Sequence, residues 1–359
     1  MANGGMKFAP MSMCTFCSAQ GRSKPTSKVC TFAKVGSDCF QVKLTWNPVC
    51  NVIAIRVVCL HLLFLSRLVP PPVITMMRFL NLLLASVLSG SALADLTFDI
   101  MAVSQGKEID WKAAGLEIVP IPQRSRFHHH EGNSTAAAGQ HPHQKRASTS
   151  GNWCGISQKV QSNRDTLSSV YGYFQAPNLS FRPGYPYPQW ASAWIGMDGG
   201  TCNSALLQSG VTVVLNSNGQ QSASAWFEWA PRASYSISGF PVHVGDWLFV
   251  NITATSATSG IVNIANLAQS LAMTININDG PTLCRQDADW IVEDFYDAKG
   301  QVAFGRFQDV WFEDVGATTT KGQKIDLKNA SPISLSNGTA ISCVANVFDD
   351  NNFWCASQG

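Results

Sequence analysis

The residue types that can do chemistry are unevenly spread along this chain of 359 residues. Six of the seven histidines (His61, His128, His129, His130, His141 and His143) precede residue 147, and only His243 follows it. A Ser-His-Asp or Cys-His site in the back of the chain must therefore use His243, and a multi-histidine zinc site cannot be built there. No H-E-x-x-H, G-x-S-x-G, P-loop or D-[ST]-G motif occurs. What remains after residue 147 is a set of carboxylates, amides and tryptophans. Such a set suits hydrolysis by an activated water, in which a carboxylate takes a proton from water and returns it to the leaving group. Glu228 and Glu293 would serve as the acid and nucleophile of a sandwich-fold glycosidase over tryptophan platforms. The same residues would also suit a non-catalytic carbohydrate-binding module.

These side chains need strands to position them. From residue 147 onward, runs of β-branched and aromatic residues alternate with polar ones and are separated by Gly, Asn, Ser and Asp turns. Strands are expected over Ser168–Gln175, Ala191–Met197, Ala205–Asn216, Ser222–Trp229, Asp246–Thr255, Ile261–Ile277, Asp289–Tyr296 and Val302–Val315. No segment shows a capped helical period, so the expected class is all-β, an antiparallel sandwich of two large sheets. Alternation puts Ser224, Trp226 and Glu228 on one face, and Asp289, Ile291, Glu293 and Phe295 on another, with Asp294 opposite. Carboxylates interleaved with tryptophans on an inner face imply a cleft, because a sealed core would make them costly.

Charge and processing signals divide the chain. Residues 1–146 hold 15 Lys+Arg against 7 Asp+Glu, a net of +8, and residues 147–359 hold 10 against 16, a net of −6. The pI therefore averages a basic front and an acidic back, and gives no argument for a nucleic-acid partner. Residues 76–94 read as a secretory signal: Arg78, an apolar run from Phe79 to Leu88, and Ser91-Ala92-Leu93-Ala94 with cleavage after Ala94. The run is too short to span a membrane, so no stable membrane association is expected. Residues 1–75 then read as an over-extended gene model or a signal anchor, and the lone Cys14-x-x-Cys17 lacks the second pair of a zinc ribbon. Residues 95–146 read as a basic, histidine-rich propeptide ending in the dibasic Lys145-Arg146. It is expected to inhibit the acidic domain at 147–359 until cleaved. Of the five cysteines in that domain, Cys202–Cys284 would tie two segments together and Cys343–Cys355 would staple a C-terminal hairpin, leaving Cys154 odd. Five N-x-[ST] sequons, at Asn133, Asn178, Asn251, Asn329 and Asn337, fit a secreted, extracellular protein.

Five segments, in order, carry a family resemblance. Asn152-Trp153-Cys154-Gly155 resembles the N-W-x-G opening of the eqolisin, or glutamic peptidase, family, known mainly from fungi. Ala191 to Cys202 (ASAWIGMDGGTC) resembles its A-W-V-G-I-D-G-x-x-C stretch. Ala205 to Gly210 (ALLQSG) resembles A-I-L-Q-T-G, which puts the family's catalytic glutamine at Gln208. Ala225 to Trp229 (AWFEW) resembles A-W-Y-E-W, and Cys284 to Phe295 (CRQDADWIVEDF) resembles the segment whose catalytic glutamate falls on Glu293. The resemblance implies a β-sandwich acid endopeptidase, insensitive to pepstatin, without metal or organic cofactor, acting as a monomer on peptide substrates. Trp153, Trp194, Asp198, Trp226 and Glu228 would line or support the site. Ser224 and Ala230 depart from the family, which often has Asp at the first position and an aromatic at the second. In this reading Glu293 activates the water and the Gln208 amide stabilises the oxyanion. An amide does not titrate, so it survives acid that would protonate a histidine base.

Overall fold

The computed structural model describes residues 96–121, 148–160, 165–336, 338 and 340–359, with the backbone of a short antiparallel pair, Val29–Thr31 and Gln41–Lys43. That pair lies in one unit, Met1–Ala92, and the rest of the described chain in a second, Leu93–Gly359. The expected signal segment with Ala94, the Lys145-Arg146 pair and the sequons at Asn133 and Asn337 lie outside the described residues.

All regular elements of the second unit are strands. Those of three or more residues are, in chain order, β1 (Thr97–Ser104), β2 (Lys107–Ile109), β3 (Glu117–Ile121), β4 (Ser148–Ser150), β5 (Trp153–Lys159), β6 (Leu167–Gln175), β7 (Gln189–Met197), β8 (Leu206–Leu215) and β9 (Gln221–Ala230). They continue with β10 (Ser234–Ser238), β11 (Trp247–Ala254), β12 (Gly260–Asn266), β13 (Leu271–Asn278), β14 (Asp287–Glu293), β15 (Val310–Thr319), β16 (Pro332–Ser336), β17 (Ile341–Val347) and β18 (Phe353–Ser357). Among the described residues there is no helix.

One layer is the antiparallel ladder β3–β10–β9–β8–β7–β14–β5. The other is the antiparallel ladder β15–β6–β11–β12–β13–β1–β2. Strands β16, β17 and β18 carry the hydrogen bonding from β5 round to β15. Val211, Val213, Phe227, Trp229 and Trp290 from the first layer share one core with Val170, Phe174, Val250, Ile252 and Ile264 from the second. Strand β11 shows how the pattern does this: Leu248, Val250, Ile252 and Ala254 are buried while Trp247, Phe249, Asn251 and Thr253 are half-exposed on the other face.

Two expectations about the strands change, and strands also form before residue 147, where none was expected. Ile261–Ile277 is a hairpin, β12 and β13, because Asn266 turns the chain by accepting the N–H groups of Ala268 and Gln269. The strand expected at Val302–Val315 runs over Val310–Thr319 instead. Residues 97–121 supply strands to the free edge of each layer: β1 pairs with β13 and β3 with β10. Leu96, Ala102 and Leu116 are buried in the shared core, and the Phe98 ring meets Phe227 and Tyr235 edge-on at 5.3 and 4.9 Å.

Of the two expected disulfides, one forms and one does not. Cys202 and Cys284 are bonded, with Cα atoms 6.0 Å apart. Cys343 is bonded to Cys154, Cα atoms 5.9 Å apart, and not to Cys355, which is a buried free thiol. In the β17–β18 ladder Cys343 faces Ser357 and Cys355 faces Ala345, so the two cysteines are diagonal neighbours. Strand β5 brings Cys154 to the same place, and the three sulfurs lie within 4.8 Å of one another.

Candidate active site

The site is built on β5, β14, β7, β8 and β9, whose registers align its side chains in rows. One row runs Gly155, Ile291, Trp194, Gly210, Trp226. Gly210 is required there: a Cβ would sit 2.1 Å from the Ala193 carbonyl oxygen and 2.6 Å from the Trp194 Cβ. The missing side chain leaves room between Trp194 and Trp226. Gly155, at φ 149°, is required for a similar reason, since a Cβ would meet the Trp290 carbonyl oxygen at 2.1 Å.

Trp153, Trp194, Leu206, Trp226, Ala230, Ile291 and Ile333 form a buried cluster separate from the core between the layers. The alternation read from sequence therefore holds, but the face carrying the tryptophans and carboxylates is the outer face of its sheet. Ile121, at the end of β3, packs against this cluster.

Glu293, at the end of β14, is fully buried. Its Oε1 accepts from Asn152 Nδ2 and Trp153 Nε1, each at 3.3 Å, and its Oε2 accepts from Trp194 Nε1 at 2.9 Å. The Trp153 and Trp194 rings meet edge to face at 5.1 Å, which fixes both donors. Asn152 opens the N-W-x-G segment, yet its role was not read from sequence; a polar residue beside a motif tryptophan was the available signal. Its own side-chain oxygen accepts from Ser150 Oγ at 3.1 Å.

Gln208 lies on β8 and faces Glu228 across the β8–β9 ladder. Its Nε2 donates to Glu228 Oε2 at 3.2 Å, and its Oε1 has no partner among the described residues although it is buried. The amide has a second N–H left to give.

Asp198 stands elsewhere. Glu293 pairs in register with Ser192, whereas Asp198 follows Met197 at the far end of β7. There it holds φ 74° and accepts the N–H groups of Arg285, Gln286 and Asp287. Asp287 in turn accepts from Thr201 N, Thr201 Oγ1 and Cys202 N. With the Cys202–Cys284 bond, these carboxylates latch the β7–β8 loop to the start of β14. Burial raises Asp198 to about 6 despite those donors, and burial together with the Asp287 charge holds Asp289 well above the ordinary carboxylate value. Asp294, beside Glu293, is likewise raised by burial and by the Glu293 charge, against the pull of Arg182. Ser224, where the family often has Asp, is exposed at the edge of the face, and Ala230 is buried in the tryptophan cluster.

The profile of the Peptidase A4 family matches residues 151–357. Aspergillopepsin-2 of Aspergillus niger is 33% identical over 207 residues, covering 52% of this chain and 72% of the relative. Scytalidopepsin B of Scytalidium lignicola is 31% identical over 219 residues, covering 55% and 79%. Among solved structures, scytalido-glutamic peptidase with a transition state analog inhibitor superposes with a TM-score of 0.50 at 27% identity, over 58% of this chain and 98% of that one. Two large antiparallel sheets are common to both.

Proposed function

This chain belongs to the Peptidase A4 (eqolisin) family, and we propose that it is a secreted acid endopeptidase in which Glu293 activates a water and Gln208 stabilises the oxyanion. The observation that carries this reading is the contrast between the two side chains. Glu293 is held in place by three N–H donors as the carboxylate that would take a proton from water. Gln208 has one N–H held by Glu228 and a second free to meet the oxygen on which negative charge develops.

In this reading Glu293 takes the proton from water as the water attacks the peptide carbonyl, and the amide of Gln208 donates to the oxyanion. Glu293 then delivers the proton to the departing amine. Glu228 is a positioning residue that orients the Gln208 amide, and Trp194 and Trp153 orient Glu293. Asp198 holds the frame from the other end of the sheet. Peptides and proteins are the substrates, and the mechanism asks for no metal.

The chain's own residues 95–146 are the inhibitor in this proposal. Ile121 packs on the tryptophan cluster that contains Trp194 and Trp226, and β1 and β3 occupy both sheet edges. Main-chain pairing along an edge gives such a segment affinity beyond a single contact. Secretion follows from the signal-like residues 76–94 and agrees with the two disulfides.

The test is digestion of a denatured protein at acid pH by the processed wild type and by Gln208→Ala and Glu293→Ala. Loss of cleavage in both variants, with the fold intact, supports the assignment of both roles. Cleavage that persists in Gln208→Ala removes that residue from the mechanism.

A further inference from the structure

The opposite layer carries a feature that the proteolytic reading does not use. On its outward face, β11 presents Phe249, Asn251 and Thr253 in line, each half-exposed. Asn251-Ile252-Thr253 is a sequon. The neighbouring β6 sets Tyr173 opposite Phe249 and Tyr171 opposite Asn251. The Tyr173 and Phe249 rings lie 4.9 Å apart at 45°, giving a small aromatic floor beside the asparagine. The Asn251 Nδ2 donates only at 3.3 Å, to Thr253 Oγ1 and to Asn263 Oδ1.

The other described sequons are built differently. Asn178 is engaged through both side-chain atoms, donating to Gln308 Oε1 at 3.4 Å and accepting from Gln221 Nε2 at 3.0 Å, and the residue two before it is Ala176. Asn329 has Leu327 two before it, and Pro332 directly follows its serine. Of the sequons at Asn178, Asn251 and Asn329, only that at Asn251 has an aromatic side chain two residues before it on the same strand face.

We infer that Asn251 carries an N-linked glycan whose first N-acetylglucosamine lies on the aromatic floor of Phe249 and Tyr173 and stabilises the fold. The inference rests on the chain passing through the secretory route, not on the catalytic roles. The co-reactant is a lipid-linked oligosaccharide diphosphate. Its C1–oxygen bond to the diphosphate breaks, a C1–Nδ2 bond forms, Nδ2 gives up one proton and the lipid diphosphate leaves. The remaining N–H of Nδ2 keeps one of its two long hydrogen bonds. A pyranose has an apolar C–H face, and burying it on aromatic rings removes apolar surface from water on both partners. The Thr253 side chain closes the other side of the sugar, two residues along the same face.

The test uses the full chain made in a glycosylating yeast, as wild type, Asn251→Gln, Phe249→Ala and the double variant. Mass spectrometry of the peptide holding Asn251 reads occupancy, and thermal unfolding reads the Tm. The inference expects an occupied Asn251 and a fall in Tm of about 2–4 °C for Asn251→Gln in the Phe249 background, with little further change when Phe249→Ala is already present. Trimming folded wild type to a single N-acetylglucosamine with an endoglycosidase is expected to leave Tm unchanged, since the stacking sugar remains; this arm needs no substitution in the strand. An unmodified Asn251 overturns the inference. So does an occupied Asn251 whose removal lowers Tm equally with and without Phe249, or a trimming step that costs as much as losing the whole glycan. Each of these results leaves acid proteolysis, measured separately, untouched.

Discussion

At the scale of single residues, Glu293 is defined by what points at it. Trp194 Nε1 donates to it at 2.9 Å, closer than Asn152 Nδ2 and Trp153 Nε1 at 3.3 Å. A hydrogen bond to a charged group is worth about 1.5–3 kcal/mol, which corresponds to roughly ten- to more than a hundredfold in rate if the bond matters most in the transition state. Trp194→Phe keeps the ring and removes the donor, so kcat/KM is expected to fall by about that factor with little change in Tm. Equal loss of activity and stability would show that the indole serves packing alone. Glu228→Gln is expected to lower kcat more than it raises KM, because it misorients the Gln208 amide without touching the peptide. Little of this was legible from the residues taken singly. A glutamine in a strand reads as a polar face residue, and Gln208 became a candidate only through the order of the motifs around it. Asn152 stayed unassigned because its partner, Glu293, is 141 positions away and only the β5–β14 pairing brings them together.

At the scale of elements, the strands that were easiest to read are those whose alternation is strongest, such as β9 and β11. The harder ones are edge strands. Residues 97–121 looked like a processing segment because of their charge and their place before the dibasic pair, and they form strands because β10 and β13 offer free hydrogen-bonding edges. A disulfide in the C-terminal hairpin was expected from nearness in sequence, but the partner of Cys343 is set by which strand lies beside β17. The Ile121 contact predicts a measurable effect. In precursor held uncleaved by Lys145→Ala and Arg146→Ala, adding Ile121→Asp is expected to raise the initial rate on denatured casein about tenfold, the equivalent of 1.4 kcal/mol of lost sealing. An unchanged rate would remove Ile121 from the inhibitory contact. The cysteine trio predicts a second effect. Burial pushes the Cys355 thiol well up, so it is expected to resist alkylation in the folded protein. Unfolding at pH 8 should release its thiolate and scramble the 154–343 bond into 154–355 and 343–355 pairs, detectable by peptide mapping, whereas unfolding at pH 3 should preserve the original pairing.

At the scale of the whole molecule, the buried carboxylates set a pH range. Asp198 rises from 3.8 to about 6 because burial outweighs its three backbone donors, and Asp289 and Asp294 are raised well above 3.8 by burial and by neighbouring carboxylates. A carboxyl whose pKa is higher in the folded state binds its proton more tightly there. Its stabilising contribution is therefore complete below the unfolded value near 3.8 and is lost as pH rises through the folded value. For Asp198 alone the difference amounts to roughly 3 kcal/mol. Tm is expected to be higher at pH 3.5 than at pH 7.5, and Asp289→Asn is expected to flatten that dependence by removing one buried charge. A Tm that rises toward neutral pH would contradict this account of the latch. The all-β class and the two-layer arrangement were legible in the sequence because many short alternating runs with no helical period have few other solutions. Which face holds the chemistry was not, since alternation separates two faces without saying which one meets the other sheet.

The most direct test of the central claim is proteolysis of a denatured protein across about pH 2–7 in the presence of pepstatin, using processed wild type beside Gln208→Ala and Glu293→Ala variants shown to be folded by their unfolding transitions. The account predicts cleavage by wild type in acid despite pepstatin, and no cleavage by either variant. Folded wild type that cuts at no pH, or a Glu293→Ala variant that still cuts, would contradict it.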